Sequence, residues 1–481
     1  MGHQCVGTFF GSLLLFAFHS SPSEILWYDI PMTSKKKNPV IDLLASVQLA
    51  LFLIFLLSSS SIIGTLIPQN SPPSFYIQEY GEKTAQVMQL LHIPDMYNSW
   101  WFMALLAAFA LNLTVCSLDR IPRVIRTIRK DGLSIPTEQV EKLPIRQEKI
   151  LAASPKNAAE RVAELLHSQG WRARTTERDN SRLFFAEKGA WSRFGVYMVH
   201  LSILVILVGA LIGSPAVARK ILQNPSFAFK GSVMIPETQT IEQITAFKTR
   251  QQLDLGFALR CDSFLIEHYP NGMPKTYRSS VTIFEDGQPT HTADIEVNTP
   301  LIYRGITFYQ ASYQPLQNYI VALRQDEREI STTDIIAPAR QRDWQEAGVS
   351  YGILNLENRG EVTQRLKIWF SDHQGEPSIF WLPAGQEARI ERPSGVYHFQ
   401  ARQMYATGLQ VAKDPGVWVV YTGCLLMLIG LYVAFFRSHR RIYALVQPTS
   451  QGSRLLFAGT ANKNKVGLEN KITDLIKKLD T

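Results

Sequence analysis

The sequence predicts an integral membrane protein of four transmembrane helices, with a large, mostly β domain exported between helices three and four. Three observations carry this reading. Four windows are strongly apolar and contain no charged residue: Leu43–Ile67, Met96–Leu118, Phe194–Ala218 and Pro415–Phe436. Basic residues cluster at one end of each window. The stretch between the third and fourth windows alternates strand-like runs with turn signals. Each window is long enough to cross a hydrocarbon core of about 30 Å as a helix. The mean hydropathy near zero conceals this split between apolar windows and a polar remainder.

The first helix is assigned to 43–67, the second to 96–118, the third to 194–214 and the fourth to 415–436. Lys35, Lys36 and Lys37 precede the first. Arg120, Arg123, Arg126, Arg129 and Lys130 follow the second, Lys188 and Arg193 precede the third, and Arg437, Arg440 and Arg441 follow the fourth. The short loop between helices one and two has only Lys83, beside Glu79, Glu82 and Asp95. The positive-inside rule then puts every basic flank in the cytoplasm. Both termini fall inside, 119–193 is a cytoplasmic connector, 215–414 is exported, and 437–481 is a cytoplasmic tail. The formal charge of +8 is therefore read as orientation rather than as nucleic-acid binding, because each cluster abuts a span.

The chain start is unusual. Residues 5–18 are apolar but lack the basic head of a signal peptide. "MTSKKKNPVIDLLASVQLALF" from Met32 reads as a more natural beginning, so residues 1–34 are expected to be an extension or a misassigned start.

In the connector, "KNAAERVAELLHSQGW" (156–171) has apolar residues at Val162, Leu165 and Leu166 and ends on glycine, which predicts a short amphipathic helix. "RARTTERDNSRLFFAEKG" predicts two strands across a polar turn, so the connector is a small α+β unit. In the exported domain, Asn271-Gly272, Asp286-Gly287 and Arg304-Gly305 mark hairpins, and short strands at this spacing predict a sandwich or barrel. The tail "NKNKVGLENKITDLIKKLDT" predicts a short helix lying on the membrane or in water.

The cysteines are Cys5, Cys116, Cys261 and Cys424. There is no C-x-x-C, hence no redox motif or zinc knuckle. Only Cys261 falls in the exported domain, which excludes a disulfide within it. No nucleophile elbow, zinc-protease motif or phosphate-binding glycine loop is present. His268, His291, His373 and His398 are scattered and read as strand or surface residues. Trp100 and Trp101 read as an interfacial aromatic belt.

The third helix holds one ionisable residue, His200. Gly195, Gly209 and Gly213 share a face, with Gly209 and Gly213 about 40° apart, while His200 is half a turn out of phase with Gly209. The glycine face predicts a close-packing seam with another helix. The His200 face carries Leu204, Leu207 and Leu211. His200 lies about 10 Å into the membrane from Arg193. It is read either as a hydrogen-bonding residue, with Ser58–Ser61 as the expected partner, or as a metal or proton site, because ionisable residues at this depth are rare. A neutral imidazole is a good ligand for haem iron.

"SIIGTLIPQNSPPSFYIQEYG", "DMYNSWWFMALLAAFALNLTVCSLDRIPR", "VHLSILVILVGALIG", "NGMPKTYRSSVTIFEDG", "VNTPLIYRGITFYQASY" and the fourth helix, in this order, resemble the ResB (CcsB) family across nearly all of 35–445. The resemblance implies a non-catalytic or co-catalytic subunit of the system II cytochrome c synthase in a bacterial plasma membrane. That synthase carries haem outward and attaches it to C-x-x-C-H motifs of apocytochromes c. The implied partners are a ResC (CcsA)-type membrane protein, apocytochrome c and, indirectly, a thioredoxin-like thiol reductant. It further implies His200 as an axial ligand of haem held transiently in the membrane, with the second ligand supplied by the partner. The partner's tryptophan-rich motif is absent, since Trp100-Trp101 is followed by phenylalanine. The alternatives are a membrane haem-b electron-transfer subunit, which requires paired histidines on facing helices, and a membrane sensor with an exported ligand-binding domain, which requires an output domain.

Overall fold

The computed structural model describes residues 38–178, 180–270 and 273–479. The extension 1–34, Lys35–Lys37, Cys5 and the Asn271-Gly272 turn lie outside the described residues. The chain divides into two compact units. One runs up to Leu207 and resumes at Val419; the other is Val208–Trp418.

Four helices are long and apolar enough to cross a membrane: span one Val47–Leu66, span two Trp100–Arg129, span three Ala190–Ile212 and span four Val417–Phe436. Twenty residues at 1.5 Å each give about 30 Å, the thickness of a hydrocarbon core. Span two is longer than its apolar window, which ends at Leu118. It continues through Arg120, Arg123 and Arg126 to Arg129. Arginine is a strong helix former, and cations are favoured at a helix C-terminus. Pro122 lies inside this extension, where it removes one backbone donor and its ring crowds the carbonyl four residues back.

Span one begins later than the window. A separate helix, Pro39–Leu44, stops at Ala45, and Ser46 caps the new start by accepting from the Gln48 amide at 3.1 Å. Asn112, fully buried in span two, donates to the carbonyls of Leu44 (2.7 Å) and Ser46 (3.1 Å) on either side of this break. A buried amide in an apolar helix is stable only with such partners.

The first unit also contains an antiparallel five-stranded sheet. Its order is Ile145–Leu151, Gly452–Ala461, Arg440–Thr449, Ser181–Lys188, Ala173–Arg178. Helices Pro155–Ser168 and Lys465–Lys477 cover one face, where Val162, Leu166, Leu468, Ile472 and Leu475 bury against Phe184, Val446 and Phe457. The opposite face packs Val140 against Leu183, Phe185, Tyr443 and Leu456. Successive residues 183–186 thus alternate between two cores, which explains their unbroken apolar run. Burial of each such side chain stabilises by roughly 1.5–3 kcal/mol.

The expected tail is therefore not a tail. Residues 440–461 supply two of the three inner strands of the sheet, and the 465–477 helix buries Leu468, Ile472 and Leu475 against that sheet. The partners of these strands, such as Ile145 opposite Gly459, lie about three hundred residues away, a pairing that local pattern does not register.

At the root of the sheet one hydrogen-bonded cluster ties three spans together. The Arg193 Nε donates to His439 Nδ1 at 2.8 Å, His439 Nε2 lies 3.1 Å from the Glu187 carboxylate, and Arg441 donates to Glu187 at 3.3 Å and to the Thr127 carbonyl at 2.7 Å. Because Arg193 can only donate, Nδ1 is the acceptor and Nε2 carries the proton. His439 is buried.

The second unit is β-rich. A ten-stranded sheet includes the long strands Gln252–His268, Ile306–Gln325 and Gly395–Lys413. A four-stranded sheet is built from Gln341–Trp344, Val349–Arg359, Val362–Ser371 and Ser378–Pro383. Two cores result. Phe229, Leu259, Cys261, Val281, Phe308 and Val411 form one; Tyr319, Tyr351, Phe370, Tyr397 and Phe399 form the other. Strands 306–325 and 395–413 serve both, and their mutual register shifts at Gln310/Ser312 and Pro315/Tyr319, where bulges redirect the side chains. The Asp286-Gly287 hairpin closes as expected, with φ of 49° and 77°.

Burial pushes the His439 pKa below its ordinary value; Glu187 opposes this, and Arg441 and Arg193 add to it. The ring is neutral when folded and regains a pKa near 6.5 when unfolded. Its contribution to stability is present above about pH 6.5 and lost as pH falls through the folded value. Thermal unfolding of the full chain in detergent from pH 7.5 to 5 should show this loss. His439→Asn should lower stability overall and flatten the acid slope; an unchanged slope would refute the assignment.

Candidate haem-ligand site in span three

Span three meets two neighbours on opposite faces. Its glycine face packs on span four. A Cβ added at Gly195 would lie 2.6 Å from the Ala434 amide nitrogen, and one at Gly423 would lie 2.6 Å from Ile206 Cγ1. In the second unit the seam continues, because a Cβ at Gly416 would lie 2.0 Å from the Gly209 carbonyl oxygen. The glycines permit backbone contact, the usual device for helices that lack a hydrophobic drive to associate in lipid. The chain thus fills this face itself. The close-packing seam expected of the glycine face is therefore made with span four of the same chain.

The other face carries His200. Its Nδ1 lies 2.9 Å from the Ser117 Oγ of span two, not near Ser58–Ser61 as the sequence suggested. Ser60 instead bonds back to the Leu56 carbonyl at 2.8 Å, a turn away on its own helix. Ser117 had no signal in the sequence beyond being a polar residue in an apolar span. Its hydroxyl donates to the Leu113 carbonyl at 2.7 Å. A hydroxyl has one proton, so toward His200 the serine accepts and Nδ1–H donates. The imidazole is then the Nδ1-protonated tautomer, and Nε2 keeps its lone pair. Among the described residues nothing hydrogen-bonds Nε2. The Tyr197 ring stands edge-on at 6.0 Å, and Leu204 and Leu207 on the same face are only half-buried.

This arrangement suits a metal ligand. A ligating histidine commonly donates its other ring N–H to a fixed acceptor, which sets the tautomer and ring orientation. An apolar, partly open leucine face beside it suits a flat hydrophobic ring system. Among the described residues no group of three or more His, Cys, Asp or Glu is placed to hold a metal ion, so His200 would act as a single ligand.

The remaining candidates are structural. His373 bonds Ser350 at 3.0 Å, and His398 bonds Glu387 at 2.7 Å and Asp326 at 2.9 Å. His291 stacks on Tyr303; the His268 side chain lies outside the described residues. Trp100 is exposed, and Trp101 Nε1 donates to the Leu91 carbonyl at 2.9 Å. Cys116, Cys261 and Cys424 are free thiols. Burial first, then Glu237 and Asp262, pushes the Cys261 thiol up to about 12, so it is unreactive at neutral pH.

Four helices long and apolar enough to cross a membrane, with a large β-rich insertion before the fourth, define a multi-pass membrane protein. The chain belongs to the ResB-like family, whose model matches residues 47–377 and 356–473. It is similar to the cytochrome c biogenesis protein CcsB of Gloeobacter violaceus, with 28% identity over 96% of this chain and 94% of that one. The CcsB proteins of a Nostoc species and a Synechococcus species are 25% and 27% identical, over 96% and 93% of this chain and 97% and 91% of theirs.

The tautomer is measurable. Solid-state NMR of the full chain with 15N-labelled histidine should report a neutral His200 ring protonated on Nδ1. Ser117→Ala should broaden or shift that signal. A ring protonated on Nε2 in the parent protein would refute the assignment.

Proposed function

We propose that this chain is a membrane subunit acting in cytochrome c biogenesis, and that His200 holds haem within the bilayer as one axial ligand. The observation that carries the proposal is the Ser117–His200 pair, which leaves the Nε2 lone pair free to bind a metal on an apolar face. The similarity to cytochrome c biogenesis proteins supports the same reading. Haem is cargo here, destined for covalent attachment to C-x-x-C-H motifs of apocytochromes c. Ser117 orients the imidazole and keeps its Nδ1 proton occupied. Leu204 and Leu207 offer an apolar wall and keep water from the ligand. The glycine seam with span four fixes the helix that carries the ligand.

Among the described residues His200 is the only histidine inside a span. The second axial ligand therefore comes from another protein, in our reading a ResC (CcsA)-type membrane protein, with a thioredoxin-like reductant acting on the apocytochrome thiols. The lack of a facing in-span histidine also weighs against a self-contained haem-b electron carrier. The spans leave Phe52, Phe55, Leu425 and Leu428 exposed, apolar surface for lipid and for such a subunit. In our reading the basic flanks put 119–193 and 437–481 in the cytoplasm of a bacterial cell and 215–414 outside it.

His200→Gly should accumulate normally, because the lost group barely alters the helix surface. Haem absorbance of the chain purified with its partner should fall severalfold, holocytochrome c should fall with it, and added imidazole should partly restore both. Full haem occupancy in the variant would reduce His200 to a packing residue.

Orientation has its own test. A reporter active only outside the cytoplasm should be active when fused after residue 300 and silent when fused after residue 150. The reverse pattern would overturn the four-span orientation.

A further inference from the structure

A cleft of about 390 Å³ opens beside the end of span four, lined in part by Trp171, Lys188, Phe436, Arg437, Arg440 and Lys471. We propose that it binds a phosphate anion, and that its setting favours the headgroup phosphate of an acidic phospholipid.

The first argument is unbalanced charge. Lys188 and Arg440 are direct cross-strand partners, an arrangement of like charges that destabilises a sheet. Lys471, on the 465–477 helix, adds a third cation. Burial, then the Lys471 charge, lowers the Lys188 pKa. No carboxylate lines the cleft. Among the described residues none of these four cations is ion-paired, whereas other arginines of the same sheet are. Arg454 pairs with Glu148 and Glu141, Arg441 with Glu187, and Arg182 with Glu177. Arg146 and Arg178 of the same sheet are satisfied by backbone carbonyls instead; the cleft gathers four cations with no carboxylate among them. An external anion removes the repulsion.

The second argument is free donors in a fixed frame. Lys471 Nζ donates to Gln169 Oε1 at 2.8 Å, and Lys188 Nζ to the Gln169 carbonyl at 3.3 Å. One glutamine thus holds both ammonium groups, and each retains further N–H donors. Lys188 also sits over the Trp171 ring, 4.5 Å from its centroid.

The third argument is position. Phe436, the last residue of span four, is 78% exposed, and Trp191, three residues after Lys188, is 80% exposed. Exposed aromatics at the ends of two spans mark the level of the lipid headgroups. Basic pockets at this level are suited to acidic headgroups.

Binding to the full chain in detergent would be measured by thermophoresis with dihexanoyl phosphatidylglycerol, dihexanoyl phosphatidylcholine and inorganic phosphate. Phosphatidylglycerol should bind, the zwitterionic lipid should bind at least tenfold more weakly, and inorganic phosphate should compete. Phosphate binding as tightly as the acidic lipid would keep the site and assign it to a soluble anion. Joint Lys188→Gln and Lys471→Gln substitution should weaken the acidic lipid at least tenfold, while Lys142→Gln should not. The double variant without ligand should melt no lower than the parent, since it relieves repulsion; this separates lost binding from lost folding. Equal affinity for both lipids, or an affinity indifferent to the double substitution, would overturn the proposal.

Discussion

The cluster of Arg193, His439, Glu187, Arg441 and the Thr127 carbonyl is the joint on which the first unit depends. Thr127 belongs to span two, Arg193 to the start of span three, and His439 and Arg441 follow span four. Each bond in it is individually modest, about 1 kcal/mol, or up to about 3 where a charge is involved. The cost of breaking one is larger, because a buried charge or imidazole is left without its partner. The joint therefore acts less as a source of stability than as a constraint on register. The Arg440–Thr449 strand enters the sheet at one place only, and spans two and three are held relative to it.

That register bears on the candidate site. Ser117 lies on the span whose end is tied at Thr127, and His200 on the span tied at Arg193. Glycine contact with span four holds span three from behind, and the Ser117 hydroxyl meets it in front. A single axial ligand with a wandering ring would bind weakly. Here the ring is fixed by a serine that has already spent its proton on Leu113.

The spans were legible because lipid demands about twenty uncharged apolar residues, and a histidine at position 200 breaks that demand visibly. The glycine face of span three and its opposition to His200 were also legible, from helical phase alone. Ser117 was not: nothing local distinguishes it from Ser58–Ser61, and only the packing of spans two and three selects it. The β-rich domain could be read from its turns, but not its two cores, because strands 306–325 and 395–413 change sides at bulges that leave no alternation to follow. The C-terminal segment misled most. "RRIYALVQPT" and "GSRLLFAGTA" are short apolar runs that only distant partners turn into inner strands.

The placement of those strands has a consequence for biosynthesis. Residues 145–151, 173–178 and 181–188 leave the ribosome early, yet the neighbours that complete their sheet emerge only after the β-rich domain and span four have been made. Until then Ser181–Lys188 carries an open edge of unpaired backbone groups and an uncovered Phe184 and Phe185. The nascent chain must hold this half-sheet in an unfinished state while it inserts a membrane helix. A ribosome that stops between residue 436, the end of span four, and residue 461 releases a protein with all four spans but a sheet that cannot close. Such a product exposes an open strand edge and an uncovered apolar face, a ready template for aggregation.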